Sequence, residues 1–238
     1  MSKVENIKKL SHLSFPIKKF LKYYPWKNCS PKISKKLDKK ISDCKVAIVS
    51  SAGLVVDDEH EPFNHNIKFG DWSYRVISKD VDSSKLKEYH TSNSFDHSGI
   101  KKNPFSALPI AHLKDLEKQG YIGSVSERHI SLMGSNINTR KLLKYSVPKI
   151  IDIFKNDNVD IVIFVPVWPM CHQTVGLVQK ICEENNLICS TISIIDEITK
   201  KLKIKRYLSV PYELGFPLGD YDDFNGQINN IKKLLSLI

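Results

Sequence analysis

The chain has no run of about 18 apolar residues, the length a membrane helix needs, and its first residues lack the apolar core of a signal peptide. A protein free in an aqueous compartment is expected. Cysteine is scarce: Cys29, Cys44, Cys171, Cys182 and Cys189 are an odd number without framework spacing in 238 residues, which argues against a disulfide scaffold. The expected compartment is therefore reducing, and cytoplasmic. A glycine-rich phosphate fingerprint, a P-loop and a paired-cysteine zinc pattern are also missing, and Gly176 after Thr174 is too little to suggest a nucleotide. No bound cofactor is expected.

Most of the chain lacks net charge as well. Residues 1–45 hold thirteen lysines against Glu5, Asp38 and Asp43, a balance of +10, while the rest holds 23 basic and 23 acidic residues. The reading is a lysine-rich extension over 1–44 and a single α/β domain over 45–238. Lys8, Lys9, Lys18, Lys19, Lys35, Lys36, Lys39 and Lys40 alternate with Phe15, Phe20, Tyr23, Tyr24 and Trp26, a mixture able to bind RNA or a membrane surface. Lysine-rich faces are ordinarily just solvated, or dock on an acidic partner subunit. Neither nucleic acid nor membrane is the expected partner.

What the chain does have is alternation. Asp160–Val167 is a β-branched apolar run, too short for a membrane and suited to a strand buried on both faces. Behind it, Val175, Leu177, Val178, Ile181 and Cys182 recur at helical spacing, with Pro169 near the turn that opens the helix. Strands are also expected at Lys45–Ser50, Trp72–Ser78, Ile130–Met133, Leu187–Ile194 and Tyr207–Pro211. Helices are expected at Leu113–Gln119, stopped by Gly120, then at Lys141–Asn156, entered through or kinked by Pro148, at Asp196–Leu202 and at Phe224–Leu237. Such alternation predicts an α/β fold, a mostly parallel Rossmann-like or flavodoxin-like sheet with helices on both faces. Val56–Ile110 reads as irregular.

Cys171 falls where the strand at Asp160 gives way to its helix. Free backbone N–H groups and the helix dipole there favour thiolate, and His172 is adjacent, so a lowered thiol pKa is expected. Ligand sites of open α/β sheets lie at the same ends of the strands. Cys182 and Cys189 read as core. Arg75, beside an aromatic strand, offers a two-pronged anchor for a carboxylate, or else a surface pair with Asp71 or Asp80. His90, His97 and His129 are candidate acid/base groups. Asp57, Asp58, Glu59, His60 and His65 lack a regular ligand spacing, and no metal is expected.

Several ordered motifs, Ser51-Ala52-Gly53-Leu54, Gly70-Asp71-Trp72-Ser73-Tyr74-Arg75, His90 with Asp96, Gly120-Tyr121-Ile122-Gly123, Arg128-His129-Ile130-Ser131-Leu132-Met133-Gly134, Cys171-His172-Gln173-Thr174-Val175-Gly176-Leu177 and Phe216-Pro217-Leu218-Gly219, resemble the selenoprotein B family of glycine, sarcosine, betaine and D-proline reductases. The pattern is most like the D-proline reductase selenoprotein subunit and its cysteine-containing relatives, and runs from about Lys45 to the C-terminus. The resemblance implies reductive C–N cleavage of an amino acid or related amine. A selenolate or thiolate attacks a carbon activated by a carbonyl on a second subunit, a neighbouring cysteine resolves the bond, and a dithiol reductant resets the site. It implies Cys171 as the resolving residue, His172 as its neighbour, and Tyr74, Arg75 and His129 as substrate-binding groups. It also implies a partner subunit or a homo-oligomer.

One departure stands out. The family carries selenocysteine or cysteine three residues before the resolving cysteine, and this chain carries Trp168. An indole is no nucleophile. Trp168 is a selenocysteine whose UGA codon was read as tryptophan, or a true tryptophan beside a cysteine that works alone, or the mark of lost chemistry in a protein that only binds an amino acid, an amine or a partner.

Overall fold

A computed structural model describes residues 13–238. Its strands are β1 (Lys45–Ser50), β2 (Leu54–Val56), β3 (Tyr74–Ser78), β4 (Leu86–Glu88), β5 (Ser124–Val125), β6 (Arg128–Leu132), β7 (Ile161–Val165), β8 (Ile188–Ser193) and β9 (Tyr207–Ser209). Its helices are α1 (Phe15–Tyr23), α2 (Ser98–Lys102), α3 (Ile110–Lys118), the single turn α4 (Thr139–Lys141), α5 (Val147–Asn156), α6 (Pro169–Glu184), α7 (Asp196–Lys201) and α8 (Phe224–Leu235).

The main sheet runs β3-β6-β1-β7-β8-β9, with the two-residue β5 also on β1. Every pairing in it is parallel except β3 with β6. Taken in chain order, the parallel strands β1, β6, β7, β8 and β9 lie in the spatial order 2-1-3-4-5, the flavodoxin-like arrangement. The expected α/β fold is present, with an antiparallel edge strand added.

The β-branched runs place successive side chains on opposite faces. Val46, Ile48, Ile161, Ile163 and Val165 face the core that α3 and α8 cover, whereas Ala47, Val49, Val162 and Phe164 face the one that α5 and α6 cover. Cys182 and Cys189 are buried in the second core, as expected.

Two local features differ from the sequence pattern. Before Pro148 the chain makes a π-helical turn over Leu142–Ser146, and Pro148 then sits in the first turn of α5. Proline has no N–H to offer and its ring crowds the carbonyl four residues back, and the wider turn absorbs both. The stretch 56–110 is ordered, not irregular: β2 and β4 form a separate antiparallel pair, β3 joins the main sheet, and α2 follows. Three-residue strands are too short to show a period of two.

The lysine-rich segment packs on the domain. Leu21 and Cys29 are buried, the Cys29 N–H donates to the Leu202 carbonyl at 2.8 Å, and Gln173 accepts from the Lys27 N–H at 2.9 Å. With this cover, thirteen of the sixteen residues of α6 are buried, so α6 shows no exposed stripe. Lys8 and Lys9 lie outside the described residues.

Candidate active site around Cys171

The strand order reverses between β1 and β7, the topological switch point where open α/β sheets hold their ligands. Ser51 follows β1 there and α6 follows β7. Trp168 is the N-cap of α6, with extended backbone (φ −145°, ψ 154°), Pro169 lies in the first turn, and Cys171 closes that turn, its N–H donating to the Trp168 carbonyl at 2.9 Å. Three residues apart, as in a capping box, side chains at 168 and 171 share one side of the helix start.

The thiol is tightly enclosed. A Cβ on Gly134, just beyond β6, would lie 2.2 Å from Cys171 Sγ and 2.7 Å from the Ser51 carbonyl oxygen, so the β6 end approaches the sulfur only because it is glycine. Thr174 Oγ1 donates to the Gly134 carbonyl and holds that turn against α6. Ser51 Oγ accepts the Val167 N–H at 3.1 Å and ties β1 to the same turn.

The loop of residues 89–97 supplies the lid of this enclosure. It passes over Gly53, which has a φ of +66° and where an added Cβ would lie 3.1 Å from the His90 backbone nitrogen, so a larger residue there would be strained. His90 Nε2 then stands 3.4 Å from Cys171 Sγ. Phe95 meets the His90 ring edge-on at 4.8 Å, stacks on His97 at 4.0 Å and lies over Trp168 at 6.2 Å. Glu88 Oε1 accepts both the His90 N–H at 3.0 Å and the His97 Nδ1–H at 2.8 Å. Outside Phe95 a cleft of about 370 Å³ is bounded by Ile17, Asp96, Leu214 and Phe216.

Burial overturns the expected lowering of the Cys171 pKa. Loss of water pushes the thiol up to about 12, against the opposing pull of Ser51 and of the Val167, Trp168 and Cys171 backbone. A helix N-terminus contributes up to ~2 kcal/mol, about one and a half pKa units, whereas full burial moves a group by about 3–5 units. Beneath its lid the sulfur rests as a thiol.

His172 does not face it. Its Nδ1 lies 3.1 Å from the Trp168 carbonyl and 3.2 Å from that of Pro169, its Nε2 accepts the Ile194 N–H at 3.2 Å, and burial lowers its pKa to about 4. It ties α6 to the end of β8. His129 is equally enclosed: β1 pairs with β5 at Lys45 and Val46 and with β6 at Val49 and Ser50, and the Ile48 N–H between them donates to His129 Nδ1 at 3.1 Å. Burial pushes that ring down to about 3.

Arg75 is held by its own chain. It donates to the Glu61, Pro62 and Tyr74 carbonyls and to Ser73 Oγ at 2.7–3.1 Å, stacked 4.3 Å over Phe63, so neither the carboxylate anchor nor a pair with Asp71 or Asp80 describes it. Tyr74 lies on the edge strand and packs in the core under α5, where burial raises its pKa. The structure thus gathers Trp168 and Cys171 but engages His172, His129, Arg75 and Tyr74 elsewhere. His60 and His65 turn to the backbone of Val56 and Tyr89, and among the described residues no group of three or more His, Cys, Asp or Glu could hold a metal. Glu88 and Phe95, which shape the lid, carry no signal in the sequence beyond lying beside the His90 and Asp96 motif.

Fold and site together define a flavodoxin-like α/β protein with a cysteine at the switch point. The sequence profile of the glycine/sarcosine/betaine reductase selenoprotein B family (GRDB) matches residues 18–167, and the chain belongs to that family. The matched region carries β1 to β7 and ends one residue before Trp168.

Two curated relatives extend further. The D-proline reductase subunit gamma of Acetoanaerobium sticklandii is 24% identical over 190 residues, 80% of this chain and 76% of the relative. The glycine reductase complex component B subunit gamma of Carboxydothermus hydrogenoformans is 23% identical over 184 residues, 75% of this chain and 41% of the relative. No solved structure matches the chain. Both relatives are subunits of larger reductases. Among the described residues no helix is long and apolar enough to cross a membrane.

Proposed function

We propose that the protein is the thiol-bearing subunit of an amino-acid or amine reductase, working with a second subunit in a reducing, cytoplasmic compartment. The observation that carries this reading is Cys171 on the first turn of α6 at the switch point, with His90 against its sulfur. Position 168 is the place of the primary nucleophile, and a UGA codon there would restore selenocysteine. With tryptophan, Cys171 works alone. Its thiolate, formed when substrate or partner moves Phe95 aside and lets water in while His90 stays against the sulfur, attacks the carbon and displaces ammonia as the C–N bond breaks and a C–S bond forms. One thiol of a dithiol reductant then attacks the Cys171 sulfur, and the carbon departs with a proton. The second thiol displaces Cys171 thiolate and leaves as the cyclic disulfide. The substrate is reduced by two electrons and the dithiol is oxidised by two.

A specific observation favours a second reading, a non-catalytic binding or partner protein: Trp168 is only 6% exposed and lies in the core over Phe95.

Trp168→Cys separates the two. If position 168 is the nucleophile's place, the variant folds and mild oxidation forms a 168–171 disulfide that dithiothreitol reverses, seen by mass spectrometry. The packing reading instead predicts a cost of about 3–5 kcal/mol for losing a buried aromatic. A variant that does not fold, or one that folds and forms no such disulfide, overturns position 168 as the nucleophile's place and favours the binding reading.

A further inference from the structure

The His90 ring has its tautomer set by the backbone. The Ser92 N–H points at His90 Nδ1 across 3.1 Å, and an amide N–H only donates, so Nδ1 carries no proton and the neutral ring keeps its proton on Nε2. That is the nitrogen facing Cys171 Sγ at 3.4 Å. We infer that His90 serves Cys171 as a fixed hydrogen-bond donor that stabilises the thiolate, and that it is not the base that takes the thiol proton. The inference rests on the reading of Cys171 as the working sulfur.

The surroundings maintain this arrangement. Glu88 accepts the His90 N–H and the ring of His97, and the other ring nitrogen of His97 lies 2.8 Å from the carbonyl of Ser92, the residue whose N–H sets the tautomer. Glu88 is therefore a positioning residue, acting through His97 and Ser92. Besides Glu88, the titratable groups facing His90 are Cys171, His97 and His65. The two histidines and, above all, burial disfavour a second proton on the ring, which is pushed down to about 3. His90 stays a neutral donor at neutral pH.

In the proposed reaction the donor acts twice on one atom. It stabilises Cys171 thiolate before attack on carbon, and again when that thiolate leaves at the final exchange. The thiol proton goes to water admitted when Phe95 moves aside, since Nε2 is already protonated and Nδ1 is occupied by Ser92. A donor fixed in place stabilises charge without reorganising.

Nitrogen-15 NMR of the histidine rings in the full chain tests this directly. Between pH 6 and 8 the His90 pattern should remain that of the Nε2–H tautomer, and Cys171→Ala should shift the Nε2 resonance by removing its acceptor. Glu88→Ala should give a tautomer mixture, and Glu88→Gln, which keeps an acceptor oxygen, should preserve the wild-type pattern. A Nδ1–H tautomer or a doubly protonated ring at pH 7, or a spectrum indifferent to Cys171→Ala, overturns the inference. The oxidation test of Trp168→Cys has a separate readout, so either reading can fail alone.

Discussion

Lowering the pH from 7.5 to 5.0 should remove most of this protein's stability, because four histidines are buried in the neutral form. Burial is the leading cause in each case, and takes His90 and His129 to about 3 and His112 and His172 to about 4. Folded pKa values below the unfolded ~6.5 mean that the unfolded chain binds protons first. The stability these groups contribute is present above pH 6.5 and is lost as pH falls towards 4 and 3. At pH 5.0 each costs about 1.5 units times ~1.4 kcal/mol, roughly 2 kcal/mol. The four together reach about 8 kcal/mol, against a total of about 5–15 kcal/mol for a typical domain. Urea unfolding at pH 7.5, 6.0 and 5.0 measures this as a falling midpoint. His112→Phe isolates one quarter of the effect: that ring is fully buried and stacks on Phe224 at 4.3 Å. The variant should lose about 2 kcal/mol less than wild type over the same pH interval. A wild-type midpoint that does not move between pH 7.5 and 5.0, or a His112→Phe chain that loses as much as wild type, would refute the reasoning.

Gly134→Ala drives a methyl group to 2.2 Å from Cys171 Sγ, and should cost about 1–3 kcal/mol in thermal unfolding. In a Cys171→Ala background that cost should fall by roughly 0.5 kcal/mol or more, and an unchanged cost would show that the sulfur is not what the glycine accommodates. Deleting residues 1–44 removes the buried Leu21, Cys29 and Cys44, worth about 4 kcal/mol of burial, and should lower the melting temperature by roughly 8–16 °C. A truncated chain that melts with the full one would restore the view of this segment as merely solvated.

The sequence by itself determined what depends on neighbours along the chain. The β-branched run through Ile161–Val165, the helical spacing behind it and Pro169 between them place Cys171 on the first turn of α6, because strand and helix periods are local. The order of alternating elements implied the parallel sheet for the same reason, and the spaced motifs carried the family. Only the tertiary structure decided the chemistry of the sulfur. The helix dipole that favours thiolate is a property of α6 alone, but the desolvation that outweighs it comes from Gly134, Ser51 and a loop whose His90 lies 81 residues away in the chain. His172, the histidine adjacent in sequence, was turned by the helix towards the Trp168 and Pro169 carbonyls, and Arg75 and His129 were claimed by backbone groups that no local pattern marks. Burial and hydrogen-bond partners are set by which distant segments fold over a residue, and a one-dimensional pattern holds no record of them until the chain has closed on itself.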